Sequence, residues 1–365
     1  MWFLYIFVIL ISTGIGFYMY NYIKRAFETF GAPAKHKAVR VILIALSVCF
    51  ALLCFNISGF GFLITMHIFM FAVITQLINF VLKYFRWNVW NKIYGSGILP
   101  IIATVVLLTV GYFTIHNVVA TKYRVETDKE LRSEGYRVVL IADVHFGVSV
   151  DYEELTKKCQ EISQQKPSFV ILCGDIVDNE TSKEEMQQVF KAFGKIQSEF
   201  GVFYVYGNHD RPLNMIKSEF TEEELNLAIQ GSGITILRDA ISQINGEITL
   251  IGREDKSFGR TPLKRLTEGV DINQFILTLD HQPNSYEETG DSVTDLVLSG
   301  HTHGGQLWPL KQVQEIFNMN DGIYGHMWID EDTQAIVTSG FAGWAFPVKT
   351  AAPAEYVLID ITSDK

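Results

Sequence analysis

Five short segments hold most of the chemistry-bearing residues of this chain: Asp143-Val144-His145, Gly174-Asp175, Gly207-Asn208-His209-Asp210, His281 and Gly300-His301-Thr302-His303. Together they offer carboxylate, amide and imidazole ligands for two adjacent metal ions, without a thiolate, a set that suits Mn, Fe or Zn. A pair of such ions suits in-line attack at phosphorus. An isolated Asp or His after a strand is most often part of a turn. Five of the nine histidines of the chain fall inside these segments, and each segment follows an apolar, strand-like run, which sets the joint pattern apart from five ordinary turns.

Each residue type has a reason to stand where it does. At a strand end, positions i and i+2 point to the same side, so Asp143 and His145 can reach one ion. Gly174 lets the chain turn sharply, so that Asp175 extends forward, and one carboxylate can bridge two cations. The amide oxygen of Asn208 can ligate a metal while His209 stays free to act on substrate. An imidazole is suited to giving a proton to a leaving oxygen near neutral pH, and a neighbouring Asp210 can orient and charge it. His301 and His303 again put two imidazoles on one side of a turn, with Gly304 and Gly305 giving backbone room.

The elements that must position these residues are legible in the periodicity. Tyr136 to Ala142 reads as a buried strand ending in Asp143 and His145. The spacing of Leu155, Cys159 and Ile162 predicts a helix over roughly 152–165, and Met186, Phe190, Phe193 and Ile196 predict another over roughly 184–197. Strands over 169–173 and 202–206 place Asp175 and Asn208 just past their C-terminal ends, where α/β sheets put their ligand crevice. Beyond residue 235 short strands dominate, at roughly 234–238, 247–252, 274–279, 294–298, 334–338 and 355–361. The expected fold class is α/β, a four-layer αββα sandwich of two sheets covered by helices.

The first third of the chain has a different composition. Apolar runs at 2–22, about 41–58, 60–82 and 97–119 each approach the roughly 20 residues that span a bilayer. Val41 to Leu82 holds no charged residue; as one helix it would run about 60 Å, twice a hydrocarbon core of about 30 Å. It is expected to fold back near Asn56-Ile57-Ser58-Gly59, which makes four spans. Residues 1–120 carry eight Lys and Arg against Glu28, a net of +7; since the whole chain is −10, the remainder is −17. So acidic a domain repels nucleic acid, and no nucleic-acid partner is expected. The four cysteines show no disulfide framework and no metal-binding spacing.

The N-terminal run has no positive residues before it and no small-residue cleavage site, so it reads as an anchor and not a cleaved signal. The basic loops 23–40 and 83–96 then fall on the cytoplasmic side, outnumbering Lys122 and Arg124 after the fourth span. This ordering predicts a multi-pass protein of the cell membrane with its acidic domain on the extracytoplasmic face. The domain boundaries expected are a transmembrane region over 1–120, a linker over 121–135 and a catalytic domain over 136–365.

The order DxH, GD, GNHD, H, GHTHGG resembles the calcineurin-like metallophosphoesterases over roughly residues 136 to 361. Gly304-Gly305-Gln306, Trp308-Pro309 and the segment from Gly340 through Pro347-Val348-Lys349 to Pro353-Ala354-Glu355 resemble the membrane-anchored bacterial branch. The resemblance implies two divalent ions, Mn foremost with Fe or Zn as alternatives. It gives Asp143, His145, Asp175 and His303 to the first, and Asp175, Asn208, His281 and His301 to the second. His209 is the unligated acid, with Asp210 behind it. A metal-bridging hydroxide would attack phosphorus in line while His209 serves the leaving oxygen. Lys349 departs from the pattern, since relatives often carry Arg there, and an ammonium does not reproduce a bidentate guanidinium contact.

The expected activity is therefore a metal-dependent phosphoester hydrolase anchored to the bilayer, with a lipid-linked phosphoester as the favoured substrate. Two other readings stand beside it: a transporter or sensor carrying a regulatory phosphoesterase-like domain, and a cytoplasm-facing hydrolase of nucleotide-linked lipid precursors. His326 and the aromatic run around Trp344 read equally as pocket wall or as core.

Overall fold

A computed structural model of the chain describes residues 2–56, 59–85, 87–211 and 218–364. The turn expected at 56–59 falls partly outside them, at 57 and 58. Five helices come first: α1 (Trp2–Thr29), α2 (Lys37–Leu53), α3 (Phe60–Leu82), α4 (Asn88–Ser96) and α5 (Ile98–Ile115). Then follow β1 (Val119–Thr127), β2 (Tyr136–Ile141), α6 (Tyr152–Gln164), β3 (Phe169–Cys173), α7 (Lys183–Phe193), β4 (Val202–Val205), α8 (Glu222–Gly231) and β5 (Ile234–Ile236). The remainder is β6 (Ala240–Ile244), β7 (Ile248–Gly252), α9 (Leu263–Leu266), β8 (Phe275–Leu279), α10 (Tyr286–Gly290), β9 (Leu296–Ser299), α11 (Leu310–Ile316), β10 (Gly325–Trp328), β11 (Gln334–Val337) and β12 (Glu355–Ser363).

The chain divides into two units, Met1–Val110 and Gly111–Lys365. In the first, several polar side chains join the buried apolar core and many apolar ones are exposed. Ser12, Ser47, Thr65, His67 and Thr75 are buried beside Met19, Leu43 and Ala72, while Val41, Ile42, Ile44, Leu77, Phe80 and Val105 face outward. His67 spends its Nδ1 on the Leu63 carbonyl one turn back, at 2.8 Å. Two of the helical stretches, Phe60–Phe85 and Ile98–Ile115, are long and apolar enough by length and composition to cross a membrane. Part of the loop expected at 83–96 is the short helix α4, and the apolar run expected to reach 119 ends as a helix at Ile115.

The second unit holds two six-stranded sheets, ordered β1-β12-β2-β3-β4-β5 and β10-β11-β9-β8-β7-β6. Strand alternation sorts their side chains into two cores. Val139, Ile141, Val170 and Leu172 join Leu155, Ile162, Phe190 and Leu225 of α6, α7 and α8 on one face of the first sheet. Their neighbours Val138, Leu140, Phe169 and Ile171 meet Leu250, Leu277, Leu279 and Leu298 of the second sheet on the other. Helices α7 and α8 each begin with a capping box, Ser182 with Glu185 and Thr221 with Glu224, contributing about 1 kcal/mol apiece. The mixed α/β sandwich of two sheets is as expected. Its fourth layer is thin, since the helices against the second sheet are the short α9 and α10, which pack through Leu263 and Tyr286.

The stretch 121–135 is not a free linker. Residues up to Thr127 form β1, which pairs in parallel with β12 from Val119↔Glu355 to Thr127↔Ser363. The expectation failed because β1 lies at the sheet edge, with polar side chains outward and only Val125 and Thr127 buried, and that pattern reads as polar chain. Only three residues separate it from α5. Val125→Asp would put an unpaired carboxylate into the core between the sheets, and such a charge costs roughly 3–5 kcal/mol. We expect a clear drop in the melting temperature of the detergent-purified full chain; an unchanged melt would mean that β1 contributes no packing.

Candidate metal centre

The strand ends β2, β3 and β4 of one sheet and β8 and β9 of the other converge, and every ligating residue expected from the sequence lies just past one of them. The loops are laced by backbone hydrogen bonds: Asp143 N–H donates to the Gly174 carbonyl (3.1 Å), and Val144 and His145 N–H donate to that of Asp175 (2.8 and 3.1 Å). Across the two sheets, His301 N–H donates to the Asp143 carboxylate at 2.9 Å. Close approach demands glycine. A Cβ on Gly174, whose φ is +81°, would lie 2.6 Å from Gly207 N and from His281 Nδ1.

Asp143, His145 and His303 bring one ligand atom each to within 4.8 Å of one another, and so do Asp175, His281 and His301. The Asp175 carboxylate lies between the two groups, with Oδ2 3.7 Å from His145 Nε2 and 3.1 Å from His281 Nε2. Asn208 reaches the second group, its Oδ1 lying 2.8 Å from His301 Nδ1. His281 Nδ1 faces the Cys173 carbonyl at 2.8 Å, which makes that nitrogen the donor and leaves Nε2 as the ligand atom.

The donor set fits divalent ions. His145 Nε2 and His303 Nδ1 are buried nitrogens with no hydrogen-bond partner, a costly condition for polar atoms unless they ligate. Burial pushes the Asp143 carboxyl up to about 6. Burial would raise Asp175 too, but the charge and hydrogen bond of His281 hold it well below the usual carboxylate range. Burial, with His281 nearby, pushes His301 down to about 4, and burial carries His303 well below its ordinary value. Both rings are neutral, the form that ligates.

His209 and Asp210 depart from the expected pairing. Asp210 does not stand behind His209. Its buried carboxylate accepts four backbone N–H groups, from Asp175 (2.8 Å), Ile176 (2.8 Å), Val177 (3.1 Å) and Gly207 (2.7 Å), and so holds the GD and GNHD turns together. The His209 ring is instead oriented by Asp178, whose carboxylate lies 3.3 Å from His209 Nδ1 and 3.1 Å from His145 Nδ1. Burial works against a charged His209, yet the Asp178 hydrogen bond raises its pKa above the ordinary value. Sequence reasoning missed Asp178 because it chose the carboxylate adjacent to His209; the available signal was an acid three residues past Asp175 on the same turn.

Lys349 is likewise no phosphate clamp. It is fully buried, with Nζ donating to the carbonyls of Ser339, Gly340 and Ala342, and burial pushes its pKa down to about 7. That cradle holds the segment whose Phe341 and Ala342 N–H groups bond Ala142 and Asp143 (2.8 and 3.0 Å). Trp344 does border the site, its ring centroid 5.4 Å from that of His209. His326 does not; it pairs with Gln334 at 2.8 Å on β10 and β11.

Residues 136–305 match the family model described as calcineurin-like phosphoesterase. They form a calcineurin-like phosphoesterase domain. Among relatives of this metallophosphoesterase family, the chain is 26% identical over 264 residues to an uncharacterized metallophosphoesterase of Campylobacter jejuni, covering 70% of this chain and 67% of that one. It is 32% identical over 179 residues to phosphodiesterase YaeI of Escherichia coli, covering 47% and 62%. It is 27% identical over 238 residues to a Danio rerio protein named as a transmembrane protein with a metallophosphoesterase domain, covering 60% and 52%. The chain thus spans between about half and two thirds of the length of these relatives.

Because the Asp175 carboxylate lies between a histidine of each group, Asp175→Ala should lose both ions, whereas Asn208→Ala should mainly weaken one. Metal content per chain in the purified variants checks this; an Asp175 variant that retains two ions refutes the shared ligand.

Proposed function

We propose that the chain is a membrane-anchored, metal-dependent phosphoester hydrolase that uses two divalent ions, Mn foremost, and acts on a phosphoester carried by a lipid. The observation that carries the reading is the pair of ligand groups with the Asp175 carboxylate between them, and His209 beside them with its ring committed to Asp178. Asp143, His145, Asp175 and His303 would hold one ion, and Asp175, Asn208, His281 and His301 the other. When bound, such a pair supplies Lewis acidity and an activated water for attack at phosphorus. The protein's own part is to hold these ligands fixed, to keep the site dry behind the buried strand ends, and to hold a proton on His209 Nε2 for the leaving oxygen. With Nδ1–H engaged by the Asp178 carboxylate, a proton on Nε2 makes the ring an imidazolium, and the Asp178 charge stabilises that form.

The membrane part of the proposal assigns spans to α1, α2, α3 and α5. Its support is the outward-facing apolar surface of the first unit, with Ser12, Thr65 and His67 turned inward, the arrangement that suits a lipid surround. Helix α2, at 17 residues, rises about 26 Å, close to the roughly 30 Å of a hydrocarbon core. With Lys24, Arg25, Lys35, Lys37 and Arg40 in one loop and Lys83, Arg86 and Lys92 in the other, both basic loops face the cytoplasm and the catalytic domain faces out.

Purified full chain loaded with Mn is expected to hydrolyse nitrophenyl phosphodiesters; metal-loaded protein that turns over no phosphoester would sink the enzymatic reading. His209→Ala should keep its metal and lose on the order of a hundredfold in turnover, less for nitrophenyl than for alkyl esters. Equal losses on good and poor leaving groups would rule out proton donation. For topology, an alkaline phosphatase fusion after residue 125 should be active in cells and one after Asn91 inactive. The opposite result would turn the domain to the cytoplasm and favour nucleotide-linked lipid precursors as substrates.

A further inference from the structure

Shortly after the two glycines that follow His303, the second unit carries a helix whose apolar side is exposed. None of the residues of α11 is buried. Leu310, Val313 and Phe317 recur at helical spacing and share one face, flanked by Ile316 and Met319, and all five are exposed, Ile316 by 75% and Phe317 by 72%. A run of large apolar side chains in water at the rim of a polar site marks an interaction surface.

What covers it follows from where α11 is tied. Gln306 Nε2 donates to the carbonyls of Trp344, Phe346 and Val348, at 3.0, 3.1 and 3.3 Å. Thr350 N–H donates to the Gln306 carbonyl at 2.7 Å, and Trp308 N–H to Thr350 Oγ1 at 2.8 Å. The same 343–350 segment is seated on the last turn of α5: Lys349 N–H donates to the Gly111 carbonyl at 3.0 Å, and Ile115, fully buried, packs at Gly343. On that turn Tyr112 and Phe113 are exposed, continuing the apolar surface of a helix whose mean hydropathy is 2.3. The exposed apolar face of α11 is thus joined, through one hydrogen-bonded segment, to the place where an apolar helix ends. Its charge is balanced, with Lys311 and Glu315 3.9 Å apart.

We propose that α11 is a lipid-docking element, lying in the bilayer interface beside the end of α5 with Leu310, Val313, Ile316, Phe317 and Met319 among the acyl chains. This rests on the membrane-anchored reading above and adds the orientation of the site. Docking brings the rim that carries Trp344, next to His209, against the headgroup layer, so that phosphoesters at headgroup depth reach the ligand groups without leaving the bilayer. With no net charge on the patch, docking is driven by apolar burial and tolerates salt.

The test uses the full chain with Cys49→Ala, since the other three cysteines are buried, reconstituted in phosphatidylcholine vesicles. An environment-sensitive fluorophore is attached at Val313→Cys, Ile316→Cys or Phe317→Cys, with Leu227→Cys on α8 as the exposed control. Lipids bearing a shallow spin label should quench the α11 labels at least about twofold more than the control, as expected for a face buried about 5–10 Å into the interface. Retention of the chain through alkaline extraction without such quenching overturns the docking alone. Label-to-label contact between chains at these positions, in place of lipid quenching, overturns it in favour of a second copy. Loss of the chain from the vesicles on alkaline extraction overturns the spans, and the docking with them.

Discussion

Three carboxylates, Asp143, Asp175 and Asp210, are buried within one cluster of loops, and the architecture of the second unit follows from the need to compensate them. Burying an ionised carboxylate without a partner costs several kcal/mol, and each of the three is compensated differently. Asp210 is neutralised by geometry alone, as four N–H dipoles of two turns point at it. Asp175 draws on imidazoles from both sheets. Asp143 accepts the His301 N–H and is left pushed up to about 6 by burial. That residual imbalance, with two orphaned imidazole nitrogens in the same cluster, fits a candidate cation site better than a merely polar core.

The same residues sit in strained backbone. Asp143, His145, Asp175, His301, His303 and Gln306 all have φ between +38° and +71°, a region that costs side-chain-bearing residues of order 1–3 kcal/mol each. Such conformations persist only where the surroundings over-determine them. Here they are held by the lacing of the β2 and β3 loops, by the Asp210 cage and by the Lys349 cradle beneath the segment after β11. Positive φ turns each side chain out of the path of its strand and into the space between the sheets, so the strain and the convergence of ligands are one feature.

The two units suit different surroundings. In the second, apolar side chains fill cores between layers, with exposed apolar side chains grouped on α11 and at the end of α5. In the first, polar side chains such as Ser12, Thr65 and His67 are buried among apolar ones, while many large apolar side chains face outward.

How much of this could be read from the chain follows from the range of the interactions. Strand and helix positions come from period-two and period-3.6 burial, which are local, so β2, β3, β4, β8, α6 and α7 were legible, as were the ligand types at their tips. Three of the four edge strands, β1, β6 and β10, escaped, because they alternate more and less exposed residues and carry no continuous apolar run. α11 escaped because its apolar spacing has no burial to explain it. In the site, ligand identity was legible because metal chemistry restricts residue type and turns restrict spacing. The partner of each side chain was not. Asp210, adjacent to His209 in sequence, and Asp178, 31 residues away, are both acids on turns, and nothing local distinguishes them. Only the packing of β3 against β4, which sets the GD turn beside the GNHD turn, turns Asp210 toward four backbone N–H groups and Asp178 toward the two rings. Lys349 shows the same limit: its departure from the pattern was legible in the sequence, but its burial against three carbonyls belongs to the tertiary structure.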